Sequence, residues 1–442
     1  MGKLSFGKTI ALGFQHVCVM YGGAIAVPLI VAHSLGLTQQ QLVYLISFDL
    51  LSCGIATLIQ VIGFGSIAGI RLPALMAVSF IVLDPAIAIG KAYSITGVFG
   101  AVMVSGIVIA LCAPFIGKLA KFFPPIVSGS VILIIGITLM PVAMANAAGG
   151  QGAENFGDPK NLLIAAFTLL CFLIFNTFFK GFLKSISVLI SMIIGTVAAS
   201  FFGMVNFSTV STAKWFNIVT PFYFGTPTFH LSAIITMVII SFIIAIESIG
   251  VFMALGEFSE KKIGEADIKK GLRAEGIGAF ISSILNSFNH STFSQNVGLV
   301  MLTKVTNLSV LVASGIILVF LGLVPKVGAL TTMIPAPVLG GAMIPMFGML
   351  IAAALKIIGK ADMSLPSNQI TIAIGVGIAL AIKGVPSAFT HLPQTLHLLI
   401  GDGVVIGALV LVILNALLNS SLQEGHFHGF EKVETEAILD AE

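Results

Sequence analysis

The sequence predicts an all-α protein that crosses a lipid bilayer many times, in fourteen segments arranged as two inverted halves of seven. Three observations lead there. Hydrophobic residues make up 57% of the 442-residue chain and charged residues only 9%, against roughly 45–50% and about 25% in soluble proteins. A mean hydropathy of +1.10 is sustained over the whole length, so the medium around most of the chain is lipid. Apolar stretches long enough to span, about 20 residues each, recur from one end to the other. With 21 Lys+Arg against 18 Asp+Glu, the formal charge of +3 is too small to suggest a nucleic-acid partner.

Breaking the apolar stretches at glycine, proline and charge gives segments near 8–32, 41–63, 66–90, 94–117, 122–141, 160–182, 184–204, 230–255, 268–286, 288–304, 306–327, 335–357, 367–385 and 398–419. The first begins like a secretory signal, with Lys3 and Lys8 before an apolar run. That run carries Gln15 and His16 in its middle and passes Leu29 without a small-residue cleavage site, so it reads as a retained segment. Placing the N-terminus in the cytoplasm puts 16 cationic residues inside, among them Arg71, Lys118, Lys121, Lys261, Lys270, Arg273 and Lys432. Five fall outside: Lys91, Lys160, Lys214, Lys326 and Lys383. The bias is that of the positive-inside rule, and removing one segment would reverse the later clusters. Both termini are therefore expected in the cytoplasm of a multi-pass protein of the plasma (inner) membrane. Cys18, Cys53, Cys112 and Cys171 lie within apolar runs without metal-site spacing and read as packing residues.

The fifth and twelfth segments share a pattern. Pro125, Gly129 and Gly136 recur as Pro337, Gly341 and Gly348, each 212 residues on. Seven is odd, so two such halves must face opposite ways across the membrane. In inverted repeats, interrupted helices at matching positions point to the binding site. Segment three is broken by Arg71, Pro73 and Asp84-Pro85 around a run from Ala74 to Ile81. Segment ten opens with Ser287-Phe288-Asn289-His290-Ser291-Thr292-Phe293-Ser294. Both runs hold β-branched and hydroxyl residues that suit extended backbone, which is tolerated at membrane depth only when buried in protein or lining a cavity.

Ionisable residues inside such segments cost roughly 2.5–3.5 kcal/mol at the centre and ask for a reason. Glu247 is the clearest, with no other charge between Lys214 and Glu257; its depth speaks against a helix-end residue reaching water. Glu275 follows the basic loop at Lys269-Lys270-Arg273, so either a functional acid or a partner for Arg273 fits it. Asp49 and Asp84 read as near helix ends, capping or solvated as readily as functional. His16 occupies in segment one the place that Glu247 has in segment eight, as a packing or a site histidine. Gln295-Asn296 opens a half-helix, where free backbone N–H groups converge. The Gln295 amide offers donor and acceptor together, which suits a planar heterocycle, although a helix cap would use the same residue.

The run Gln295-Asn296-Val297-Gly298-Leu299-Val300-Met301-Leu302-Thr303-Lys304 resembles, at every fixed position, the signature [QEP]-N-x-G-x-x-x-x-T-[RKG] of the nucleobase–ascorbate transporter (nucleobase:cation symporter-2) family. The preceding Asn286–Ser294 stretch resembles its xanthine and uric acid permease branch. Gln15-His16, Ser79-Phe80, Glu247-Ser248 and Glu275 resemble the family too, so the likeness covers Phe14 to about Leu418.

The resemblance implies a core domain (1–120 and 229–328, segments 1–4 and 8–11) and a gate domain (121–228 and 329–420, segments 5–7 and 12–14). A cytoplasmic acidic tail would follow at 421–442. Short antiparallel strands in segments three and ten would flank the substrate. Glu247 and Gln295 would bind a purine base, with Phe80 stacking on it and Ser79 and Phe293 beside it. Asn296 and Thr303 would serve gating, Glu275 proton coupling, and His16 would orient the network. The implied partners are a purine base, a proton, the bilayer and a second copy docked through the gate domain. No cofactor is expected. Uracil-type members carry Glu where Gln295 stands, so xanthine or uric acid fits better than uracil; a uracil or other pyrimidine permease, or one for guanine or hypoxanthine, is the alternative. Three positions depart from many relatives: Glu275 replaces Asp, Val251 replaces an acid, and Asn289 replaces Pro.

Other classes fare worse. An anion carrier of the same inverted design would place a deep carboxylate where it repels its cargo. There is no HExxH, no Cys/His cluster and no GxxxxGK[ST] in the sequence, so neither a metalloenzyme nor an ATP-driven pump is expected.

Overall fold

The computed structural model describes residues 4–419 apart from 120–123, 390, 394, 395, 397 and 399. The acidic tail at 421–442 and the cations Lys3, Lys121 and Lys432 of the orientation argument lie outside the described residues.

The chain opens with α1 (Phe6–Ala24) and α2 (Ala26–Ser34), a single apolar run broken at Ile25 three residues before Pro28. Thr38 starts α3 (Gln39–Ile62): its hydroxyl takes the Gln41 N–H while the Gln41 side chain returns to the Thr38 N–H. Next come β1 (Met76–Val78), a 3-10 turn at Phe80–Val82 and α4 (Leu83–Leu119). The helix α4 is kinked at Tyr93–Ser94, where Ser94 takes a φ of 67°. Then follow α5 (Pro125–Ala147), α6 (Pro159–Phe178), the short α7 (Phe182–Ser185), α8 (Ser187–Ser200) and the short α9 (Ser208–Thr212). The second half holds α10 (Leu231–Phe258), α11 (Glu265–Ile284), β2 (His290–Thr292), α12 (Ser294–Thr303), α13 (Leu308–Gly322) and α14 (Pro325–Thr332). It closes with α15 (Ala336–Ile358), α16 (Pro366–Gly384) and α17 (Gly403–Leu418). Side chains of Asp158, Asn307 and Asp402 cap α6, α13 and α17, as short polar residues do at helix starts.

The protein is all-α and multi-spanning, with one small sheet. Among the described residues, eight helical runs are long and apolar enough to cross a bilayer, or nine if α13 and α14, bent by 80°, form one span. The fourteen predicted stretches fall on these elements, and the smaller number has physical causes. Segments three and four join into one run through α4. The helices α8 and α17 have only 14 and 16 residues. The start of α11 is charged, and α12 is a 10-residue helix behind a strand.

The strands pair antiparallel, with Met76 opposite Thr292, Ala77 opposite Ser291 and Val78 opposite His290. Around them, α3 packs on α13, α4 on α11, α1 on α13 and α4 on α10. Elsewhere α5 packs on α15, α6 on α8 and α15, and α16 on α5 and α17. Small residues permit the closest approaches: a methyl group on Gly106 would come 2.7 Å from the Gly276 carbonyl, and one on Gly54 equally close to that of Gly315. Such backbone contact is the membrane-protein substitute for hydrophobic association. Large apolar side chains such as Leu111, Phe115, Phe178 and Phe320 point outward.

Candidate functional site

Extended backbone stops at Val78 and at Thr292, and a helical turn begins immediately after each strand. In the first, Ser79 caps the turn by accepting the Ile81 N–H at 3.3 Å. In the second, α12 begins at Ser294 without a side-chain cap. These two starts face one narrow cleft with a cavity volume of about 20 Å³. Val78, Ser79, Phe80 and Ile81 line it from one strand, and Ser291, Phe293, Ser294 and Gln295 from the other. Glu247 of α10 provides its carboxylate, while Ile132 and Ile135 of α5 and Leu350 of α15 close the far side. All five residues assigned to substrate from the sequence thus border the same space. Among the described residues, no hydrogen bond is made to the Glu247 carboxylate. The Gln295 amide oxygen accepts the Ser294 hydroxyl at 3.2 Å, leaving its NH₂ group for the cleft. The Phe80 ring stands edge-on to Phe347 of α15, with centroids 5.4 Å apart.

The remaining assigned residues lie around the cleft. His16 Nδ1 and Asn296 Oδ1 are 2.5 Å apart and buried, and the Asn296 amide donates to the Pro73 carbonyl at 3.1 Å. Because Asn296 spends its donor on Pro73, its oxygen accepts from a protonated His16 Nδ1. This ties α1, the segment leading to β1, and α12 together. Glu275 is buried behind β2; its Oε1 accepts the Thr292 hydroxyl at 2.8 Å and the Thr292 N–H at 3.3 Å. Among the described residues it has no ion pair with Arg273. Thr303 is not brought to the cleft. It ends α12, about 12 Å along the helix from Gln295 at 1.5 Å per residue, and its hydroxyl bonds the Leu299 carbonyl at 2.8 Å.

Asp49 departs from its reading as a residue near a helix end. It sits in the middle of α3, 1% exposed, and accepts the Ser287 hydroxyl at 2.5 Å. Its position near the centre of the 41–63 run was the available signal. Asp84 does lie near a helix start, where it pairs with Lys383 of α16 at 2.5 Å. His290, Ile132, Ile135 and Leu350 were not singled out; the last three are ordinary apolar residues with nothing in the sequence to mark them.

Residues 7–389 match the sequence profile of a permease family, that of the xanthine and uracil permeases. The chain belongs to that family. It is a family of multi-pass membrane transporters, not of enzymes. The chain is 46% identical to the xanthine permease of Bacillus subtilis (strain 168) over 434 residues, covering 98% of each. It is 45% identical to the uric acid permease PucK of the same organism over 417 residues, 93% of this chain and 96% of the relative. Among solved structures, the transmembrane domain of the cyanobacterial bicarbonate transporter BicA superposes with a TM-score of 0.63. That match covers 92% of this chain and 99% of that one at 15% identity. It is a likeness of fold alone, reached at an identity where cargo need not be shared.

Proposed function

We propose that the protein imports a purine base, xanthine or uric acid, by proton symport. The observation that carries this reading is the cleft, where an unpartnered carboxylate and an amide face the space beside two phenyl rings. A carboxylate accepts two N–H groups, an amide pairs with an adjacent N–H and C=O, and rings take the flat faces of a heterocycle. The relatives above are named for xanthine and uric acid, which agrees with that chemistry. Glu275 is the proposed proton carrier: it is buried one strand behind the cleft, and its Oε2 has no hydrogen-bond partner among the described residues. His16 and Asn296 hold the start of α12 in place, and Thr303 finishes that helix.

The finer architecture belongs to the same proposal. Fourteen segments in two inverted halves are supported by packing that comes in mates. The pair α3–α13 (segments two and eleven) matches α11–α4 (nine and four), and α6–α8 matches α16–α17. The pair α5–α15, segments five and twelve, runs antiparallel, with Gly129 against Ala354 and Ile358 and Gly136 against Phe347 and Ile351. A two-fold axis in the membrane plane produces such exchanges. Segments 1–4 and 8–11 would then form the core that carries the cleft. Segments 5–7 and 12–14 would form the gate against which it slides, elevator-like, with two copies joined through their gates. The positive-inside bias supports both termini in the cytoplasm of the plasma membrane.

Uptake of labelled xanthine, uric acid, guanine and uracil by cells lacking their own purine uptake, with and without an uncoupler, tests the reading. Xanthine or uric acid uptake abolished by the uncoupler is expected. Uptake of uracil alone, or insensitivity to the uncoupler, would contradict it.

A further inference from the structure

Successive residues of a strand point to opposite faces. Ser291 lines the cleft, so its neighbours His290 and Thr292 face the rear of the sheet. Thr292 meets Glu275 there. His290 meets Asp49 and Ser52 of α3, and both His290 and Asp49 are 1% exposed. The hydrogen bonds fix how this second cluster is protonated. Ser52 Oγ donates to the Asp49 carbonyl at 3.0 Å, so only its lone pair is left for His290 Nε2, 3.2 Å away. Nε2 therefore bears a hydrogen. The other ring nitrogen, Nδ1, is buried with no hydrogen-bond partner among the described residues. Asp49 Oδ1 takes the Ser287 hydroxyl and lies 3.7 Å from His290 Nε2; Oδ2 faces the Cys53 thiol at 3.9 Å.

With a neutral imidazole and an ionised Asp49, this cluster would hold one buried negative charge. The titratable groups on the elements around it are Cys53 on α3, Glu275 on α11 behind Thr292, and Glu247 on α10, whose carboxylate borders the cleft; β1 contributes none. Among the described residues, no lysine or arginine pairs with Asp49. An uncompensated charge at such depth is costly. One added proton removes the net charge whichever partner carries it.

We propose that Asp49 and His290 form a second proton-binding site, distinct from Glu275, whose charge state reaches the cleft through β2. The path is short. His290 pairs with Val78 across the sheet, and the neighbouring Asn289 carbonyl accepts the Ser79 N–H at 3.0 Å. Val78, Ser79 and Ser291 all line the cleft. The proposal rests on reading the protein as a proton-coupled transporter, but its first test needs no substrate.

In the full-length protein in detergent, the His290 imidazole signal is identified by NMR as the one missing from His290→Gln. It should respond to pH without any base present, and the response should change in Asp49→Asn. A signal that ignores pH while the protein stays folded, or that responds identically in Asp49→Asn, overturns the proposal. If Asp49→Asn fails to fold, Ser287→Ala, which removes only the donor to Asp49, takes its place. Calorimetry of xanthine binding in two buffers of different ionisation enthalpy then counts protons. Fewer protons taken up per xanthine in His290→Gln than in wild type is expected; an equal count overturns the coupling. If wild type binds no xanthine, the substrate reading falls, while the NMR result still decides whether this site holds a proton.

Discussion

The two strand–helix units at the centre of the protein occupy matching places and have different chemistry. The first, from β1 into α4, gives the cleft the Phe80 ring, the aliphatic Val78 and Ile81, and one hydroxyl residue, Ser79. The second, from β2 into α12, gives it the Phe293 ring and most of the polar side chains, Ser291, Ser294 and Gln295, with His290, Thr292 and Asn296 bonded away from the cleft. The proposed repeat would constrain where backbones run and where helices start, and leave side chains free to diverge. Each half therefore adds one ring to the shape of the cleft, while the hydrogen-bonding side chains come mostly from the second, with Glu247 of α10 adding charge there.

Breaking the polar side should cost most. Glu247→Gln should reduce purine uptake to background with expression intact: it loses an acceptor and gains an unwanted donor, and hydrogen bonds to charged groups contribute about 1.5–3 kcal/mol each. Next comes the acid behind β2. Glu275→Gln should lose proton-driven accumulation while still exchanging preloaded substrate, and Glu275→Asp should keep much of the transport; uncoupler-sensitive accumulation by Glu275→Gln would move the coupling proton elsewhere. On the shape side, Phe80→Ala should raise the KM for xanthine roughly tenfold, as loss of about 1–3 kcal/mol of base stacking implies. Gln295→Glu should alter which unlabelled bases compete for uptake, since it exchanges a mixed donor and acceptor for an acceptor; an unchanged competition profile would make Gln295 a helix cap. The smallest effect is expected for Thr303→Val, which removes a bond within α12 far from the cleft and should leave KM within about twofold, in line with the small net worth of one such hydrogen bond.

The same contrast governs how much was legible beforehand. Deep carboxylates and a Gln-Asn pair stand out in an apolar sequence because each is expensive there, so Glu247, Glu275 and Gln295 could be singled out without coordinates. Ile132, Ile135 and Leu350 close the cleft with residues that dozens of other positions share, and only their three-dimensional placement distinguishes them. The two interrupted segments were visible because hydroxyl and β-branched residues crowd a run of spanning length. Their pairing register was not, since three-residue strands carry too little alternation to set one. Asp49 lies near the centre of the 41–63 run, which argues against a helix-end role, but its partners Ser287 and His290 are some 240 residues away in sequence and only the fold brings them beside it. Helices of 14 and 16 residues, and the kinked α4, show how apolar length alone overstates the number of straight spans.

The most direct test of the central claim, that Glu247 and Gln295 read a purine base in this cleft, is equilibrium binding of labelled xanthine and uric acid to the purified protein, with Glu247→Gln alongside. Saturable binding of one or both bases by wild type, lost in Glu247→Gln while the variant keeps its thermal stability, is the predicted result. Equal binding by the two proteins would place the base elsewhere and contradict the account.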